Sequence, residues 1–356
     1  MRLRAEFRSR WRAWLGLALL VGLAAGGSIA AAAGARRTGS AYPRFLGSHA
    51  SYDVTFGGTS EDRDVDAESA AIVALPQVAD ATRTRFASAA AKLPDGRTVG
   101  FPDFIAIVDP AGKDGITISR WKILAGRLPD PRRADEAIMP FNTIDKLGLD
   151  IGDVITVYIG DPFVDPDTAP SARVRIVGVG IQPGSMPVVG TVTFAGVSLT
   201  PAFAKAYETA LPEWTDGPSV RLKRRSDLVP FIEAVQKIDP IMDIPSKLPE
   251  HLSGVRRTLR FEVAALWALA ALVGLAGLAI VGQALARQVY LGAQDNETLR
   301  SIGLSPKHLA FSALAVAGGI AIVGAVLAAG FAYLASWLTP IGLGRVAEPD
   351  PGFSFD

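Results

Sequence analysis

The sequence predicts a membrane protein with three transmembrane α-helices and a large α+β domain placed outside the membrane between the first helix and the second. Three observations lead there. The windows Ala13–Ala35, Val263–Ala286 and Leu309–Leu338 contain no Asp, Glu, Lys or Arg over 23, 24 and 30 residues. The 71 charged residues therefore fall on the other 279 positions, a density of 25 %, which is ordinary for a soluble globular domain. Most of those positions lie in one block, residues 36–262. The net charge of +1 gives no general attraction for nucleic acid, and the absence of cysteine excludes disulfides, thiolate metal sites and cysteine nucleophiles.

Each apolar window is long enough to cross a hydrocarbon core of roughly 30 Å at 1.5 Å per residue. Unsatisfied peptide groups are costly in lipid, so each window must be helical. Ahead of the first stand Arg2, Arg4, Arg8, Arg10 and Arg12 against the single acid Glu6. That bias puts the basic N-terminus (1–12) in the cytoplasm. A cleaved signal peptide is the competing reading, but the apolar run exceeds a usual signal core of roughly 7–15 residues. The predicted order is helix 1 at 13–35, an extracytoplasmic domain with a stalk at 36–262, helix 2 at 263–286, a cytoplasmic loop at 287–308, helix 3 at 309–338 and an extracytoplasmic tail at 339–356. Tyr333 and Trp337 suit an interfacial belt. Gly22 and Gly26 form a GxxxG, and Gly318, Gly319, Gly324 and Ala328 crowd helix 3; small residues let helices approach closely. Arg256, Arg257 and Arg260 precede helix 2, with Arg256 and Arg260 on one helix face as stalk residues. They suit snorkelling anchors, lipid phosphates or acids of the outer domain.

The outer block has a mixed pattern. Strand-like runs are Tyr52–Phe56, Phe104–Val108, Val154–Tyr158, Val174–Val179, Thr191–Val197 and Val220–Leu222. Helix-like runs are Ala67–Leu75, Pro201–Ala210 and Asp227–Ile238, the last capped by Ser226 and Asp227 and apolar on one face. Two lobes are expected, with the stretch from Gly126 to Val154 as a small β lobe inserted in a larger one. Helical character resumes near Pro249, so the second span should extend outward as a stalk.

No catalytic constellation emerges. There is no GxxxxGK[ST] and no GxSxG. His49, His251 and His308 are scattered, so no zinc site is expected. The acidic run Glu61–Glu68 fails as a calcium loop, because Ala67 stands where glycine is needed and Val73 where glutamate is. It reads as a solvated loop entering a helix, and Asp161, Asp165 and Asp167 read likewise as loop residues. The expectation is a chain that is not itself an enzyme and has no cofactor.

The loop between the second and third windows is short and patterned. Asp295 can cap a helix of one or two turns, Gly303 suits its end, and Ser305 with Pro306 opens the next helix. A plain interfacial turn would also fit, with Leu299, Ile302 and Leu304 dipping into headgroups.

The pattern Asp295-x-x-x-Leu299-Arg300-x-x-Gly303-x-x-x-x-x-Leu309 after a membrane helix resembles the coupling segment of FtsX-like permeases, which include macrolide-exporter (MacB-type) and lipoprotein-releasing (LolC-type) permeases of ABC systems. The order of segments resembles that family along nearly the whole chain. Ala41–Phe45, Ala74–Val78, Leu124–Pro129 and Leu149–Val154 look like its MacB-like periplasmic core. The resemblance implies a permease subunit in the plasma membrane that couples a separate cytoplasmic ABC ATPase to motion of the outer domain. Leu299, Ile302 and Leu304 would fill a groove on the ATPase, Asp295, Glu297 and Arg300 would supply charged contacts, and Gly303 the turn. Family halves carry a fourth membrane helix, whereas this chain stops at Asp356 without internal repeat. A truncated product, or a partner such as a second permease half or a homodimer, is therefore expected. Membrane lipids are the other expected partner, and nucleic acid is not one. The alternative is a membrane-anchored extracytoplasmic binding or sensor protein without ATPase coupling.

Overall fold

The structure is a computed structural model. It describes residues 2–56, 65–101, 103–160, 168–185, 196–211, 217–239, 246–293 and 305–353. The chain divides into two units, Met1–Tyr42 with Leu259–Asp356, and Pro43–Thr258.

The first unit holds three helices long and apolar enough to cross a membrane. They belong to α1 (Arg2–Ser48), whose last residues fall in the second unit, to α6 (Leu248–Ala293), whose first residues also fall there, and to α7 (Pro306–Ala335). A 3₁₀ turn (Ser336–Leu338) and the short α8 (Gly342–Ala347) follow. Most large apolar side chains on α6 and α7 are exposed, among them Leu272, Leu275, Leu278, Ile322 and Val326. Such surfaces have to meet lipid or other apolar groups.

In the second unit, α2 (Val65–Val73), α3 (Phe141–Leu147), α4 (Pro201–Ala206) and α5 (Leu228–Ile238) accompany two sheets. The smaller sheet joins β1 (Val54–Thr55), β2 (Val78–Thr82), β12 (Ser219–Leu222) and β13 (Ser246–Lys247) in the order β13-β1-β12-β2, every neighbour antiparallel. By that register β1 runs parallel to β2, with α2 between them in sequence, and β12 runs parallel to β13, with α5 between them. The result is the split βαβ arrangement of ferredoxin-like folds. The apolar stripe of α5 explains its side of this core: Phe231 and Val235 are buried beside Val54, Phe56, Ile72, Val220 and Leu222. Ser226 and Asp227 make no capping bond to α5; a 3₁₀ turn (Arg225–Asp227) leads into the helix instead.

The larger sheet has nine strands among the described residues. They are β3 (Arg85–Ser88), β4 (Ala90–Lys92), β5 (Thr98–Gly100), β6 (Ile105–Val108), β7 (Lys122–Gly126), β8 (Glu136–Pro140), β9 (Val154–Tyr158), β10 (Ser171–Ile181) and β11 (Gly196–Leu199). The order is β3-β6-β11-β8-β10-β9-β4-β5, with β7 also on β10. β8 lies parallel to β10, β11 parallel to β6, and the other pairs are antiparallel. Its residues follow β2 and precede β12, so the whole sheet is an insertion into the smaller lobe. Two lobes therefore exist, but the stretch from Gly126 to Val154 is not a small lobe by itself. It supplies β8 and α3 to the centre of the larger sheet, where all five residues of β8 are buried.

α3 ends where Gly148 adopts φ 68°, with Gly148 N–H donating to Asp145 O at 3.3 Å and Leu149 N–H to Ile144 O at 3.0 Å. Glycine takes this left-handed conformation without the Cβ penalty of other residues, which stops the helix and turns the chain towards β9.

Candidate functional site

Small residues set the path of the three long helices. A methyl group added at Gly22 would lie 2.6 Å from Leu327 Cβ, and one at Gly26 2.9 Å from Ala328 O. On α7, Gly324 faces Val21 in the same way, at 2.7 Å. On another side of α1, Gly277 of α6 would meet Ala24 Cβ at 2.5 Å, and Ser28 Oγ donates to Ala270 O at 2.9 Å. The GxxxG of α1 is thus a contact surface, and so are Gly324 and Ala328. Gly318 and Gly319, which the sequence grouped with them, have nothing within 4 Å of an added methyl.

The contact pairs also give direction. Leu17 and Ala18 cluster with Ile320, Gly26 meets Ala328, and Gly34 meets Thr339, so α1 and α7 run the same way. Ala24 meets Gly277 and Gly39 meets Val263, so α6 runs the opposite way. The last residues of α6 and the first of α7 consequently lie at the same end of the bundle as the start of α1.

Residues 294–304 join α6 to α7 at that end. The sequence-predicted coupling residues Asp295, Glu297, Leu299, Arg300, Ile302, Gly303 and Leu304 all fall outside the described residues. What is described is their frame: α6 ends at Ala293, Ser305 holds the N-cap position with extended backbone (φ −72°, ψ 150°), and Pro306 opens α7. Ser305 makes no side-chain capping bond to α7. The stalk residues Arg256, Arg257 and Arg260 lie on α6; Arg257 and Arg260 are exposed, and the side chain of Arg256 is outside the described set.

The opposite end of the bundle is closed by a buried arginine that no sequence motif singles out. Arg37, 6 % exposed, donates from Nη1 to Ser336 O (3.2 Å) and Gly352 O (2.8 Å), and from Nη2 to Asp350 O (3.1 Å). Its Nε lies 3.8 Å from Glu348 Oε2, itself buried. One guanidinium thereby gathers the chain after α7 against the C-terminal half of α1. The bonding partners are about 300 positions away in sequence, which no local pattern reports.

In the second unit, buried carboxylates organise the loops. Asp109 Oδ2 accepts from Thr82 Oγ1 (2.6 Å), Lys113 N (2.7 Å) and Asp114 N (2.7 Å), and Oδ1 accepts from Ala111 N (2.9 Å). Thr82 belongs to the smaller sheet and Asp109 follows β6 of the larger, so this hub ties the lobes together. Asp114 accepts from Gln182 Nε2 at 3.2 Å. Burial, with the nearby Asp109 charge adding to it against that hydrogen bond, pushes the Asp114 carboxyl up to about 7. Glu136 shows the reverse. Its hydrogen bonds from Arg127 (both 2.7 Å) outweigh burial and, with Asp130 N at 3.0 Å, hold its carboxyl down at about 2. No group of three or more potential metal ligands occurs among the described residues.

No family model matches the chain, and no curated protein matches it. Several solved structures are similar to it in part. One is the extracellular domain of a noncanonic ABC-type transporter, YknZ, from Gram-positive bacteria, with TM-score 0.32 and 9 % identity over 52 % of this chain and 91 % of that one. Another is the periplasmic region of MacB from Actinobacillus actinomycetemcomitans, with TM-score 0.33 and 9 % identity over 58 % of this chain and 91 % of that one.

Proposed function

We propose that this chain is a permease-type subunit of an ABC transporter, with its N-terminus and residues 294–304 in the cytoplasm and the mixed domain outside. A separate ATPase grips residues 294–304, and its nucleotide cycle moves α6 and α7. The observation that carries this reading is the arrangement of the bundle. The short patterned segment joins α6 and α7 at one end, while α1 and α6 pass into the 43–258 domain from the other end. A displacement applied at 294–304 then has a continuous helical path, α6, along the chain to that domain. An α-helix resists axial compression because every turn is hydrogen-bonded to the next.

Leu299, Ile302 and Leu304 are assigned to the ATPase groove, Asp295, Glu297 and Arg300 to its rim, and Gly303 to the turn between them. ATP hydrolysis belongs to the partner, because this chain has no phosphate-binding loop. A second copy or a second permease half completes the membrane part.

The test is affinity purification of the chain from its native membrane, with the Mg²⁺-dependent ATPase activity of the eluate as readout. The wild type brings down a P-loop ATPase, and the Leu299→Asp, Gly303→Pro double variant loses it while remaining in the membrane. If the wild type carries no ATPase, or the double variant keeps all of it, the coupling assignment is wrong and the binding or sensor reading takes its place.

A further inference from the structure

The end of the bundle closed by Arg37 sorts its charges in an unusual way. Among the described residues of the first unit at this end, Arg36, Arg260 and Arg345 are exposed. The acids are mostly turned inward: Glu348 is 5 % exposed beside Arg37, and Glu262 is partly buried with its Oε1 accepting from Leu343 N at 3.3 Å. Asp350 is the exposed acid, and its backbone carbonyl is held by Arg37. Folding thus hides two carboxylates and presents three guanidinium groups.

Those three groups fall within about 9 Å of one another along the bundle axis. Gly39 of α1 packs against Val263 of α6, with an added methyl 3.5 Å from Val263 Cγ2, and Thr38 packs against Gly344 of α8. Arg36 precedes Gly39 by three residues and Arg260 precedes Val263 by three, on antiparallel helices, so their Cα atoms are offset along the axis by about 9 Å at 1.5 Å per residue. Arg345 is next to Gly344, and its Nη1 donates to Trp337 O at 3.1 Å. The headgroup layer is roughly 5–8 Å thick on each side of the hydrocarbon core, and arginine stems extend several ångströms towards it. Trp337, 54 % exposed, and Tyr333, 38 % exposed, mark the boundary where amphipathic rings settle.

We propose that this rim is a binding surface for anionic phospholipid headgroups, engaged by Arg36, Arg260 and Arg345. Guanidinium groups pair bidentately with phosphate oxygens, and the rim offers three of them around one hydrophobic girdle. Basic residues on the translocated side of a membrane are disfavoured, so three exposed arginines opposite the basic N-terminus call for a partner. The proposal rests on the three helices spanning a bilayer and is independent of any ATPase.

The experiment uses the full chain reconstituted in nanodiscs of phosphatidylcholine, alone or mixed equally with phosphatidylglycerol, followed by native mass spectrometry of retained lipid. The wild type retains phosphatidylglycerol over phosphatidylcholine. The R36Q/R260Q/R345Q variant loses a preference on the order of 100-fold, about fivefold for each arginine. Each single variant loses a part, so the outcome does not depend on the triple variant folding. R132Q, which removes one exposed charge from the mixed domain, retains the wild-type preference. The proposal is overturned if the triple variant, or every single one, keeps the wild-type lipid ratio. It is equally overturned if the variants lose stability to the same extent in both lipids, which would place the arginines against acids of the protein. Failure of the wild type to enter nanodiscs at all would instead refute the membrane-spanning reading.

Discussion

The helix bundle and the mixed domain are held together by opposite means. In the bundle, cohesion comes from what is missing: glycine at positions 22, 26, 277 and 324 lets helices approach until a single methyl would collide. In lipid there is little hydrophobic gain from helix contact, so close packing has to serve instead. In the mixed domain, two apolar cores supply the gain, and buried carboxylates at Asp109, Asp114 and Glu136 fix where loops and lobes meet. Arg37 is where the bundle borrows the second method, using one charged group to hold three backbone carbonyls and the Glu348 carboxylate at its rim.

If that contrast is right, the largest single loss in the bundle comes from Arg37→Met. It removes the guanidinium that donates to the Ser336, Asp350 and Gly352 carbonyls and that pairs with buried Glu348, and breaking a buried ion pair from one side costs about 3–5 kcal/mol. Thermal unfolding in nanodiscs should register it, together with faster proteolysis after Trp337. Next is Asp109→Ala in the mixed domain, which strands the Thr82 hydroxyl and three backbone N–H groups; about 3 kcal/mol is expected from a denaturation series. Gly26→Leu should cost about 1–3 kcal/mol by overpacking, whereas Gly318→Leu, with open space, should be nearly neutral. Equal effects at the two glycines would show that the bundle is not packed as described.

A further effect is one of pH. Asp114 holds its proton in the folded domain up to about 7 but not in the unfolded chain above about 4. Folding therefore takes up a proton across that window, and stability falls as pH rises from 4 to 7. Glu136 acts the other way: held at about 2, it stabilises fully above its ordinary range and loses that contribution as pH falls towards 2. Asp114→Asn should flatten the upper slope of the denaturation midpoint and leave the acid limb unchanged, and Glu136→Gln should do the converse.

The sequence made the spans legible because lack of charge over more than twenty residues has few other meanings. It also located most strands that alternate cleanly, such as β9, and the stripe of α5. Three things were hidden. α1 runs on to Ser48 through Arg36, Arg37, Gly39 and Pro43, a run that reads as a break; Tyr42, Phe45 and Leu46 are buried there. β8 carries Glu136 and ends on Pro140, both poor strand residues, and is tolerated because Arg127 and Arg133 answer the charge. The stretch from Gly126 to Val154 reads as a small lobe, whereas its β8 sits inside the larger sheet, whose order joins strands far apart in sequence, so no local run states its extent. Of the candidate coupling site, the structure describes only the frame from Ala293 and Ser305.

The account turns on which side of the membrane holds residues 294–304. The chain has no cysteine, so single cysteines at Asn296 and at Asp95 can be probed with a membrane-impermeant maleimide on intact and opened cells. The prediction is labelling of Asp95→Cys in intact cells and of Asn296→Cys only after opening. Labelling of Asn296→Cys in intact cells would contradict it and remove the ATPase from the scheme.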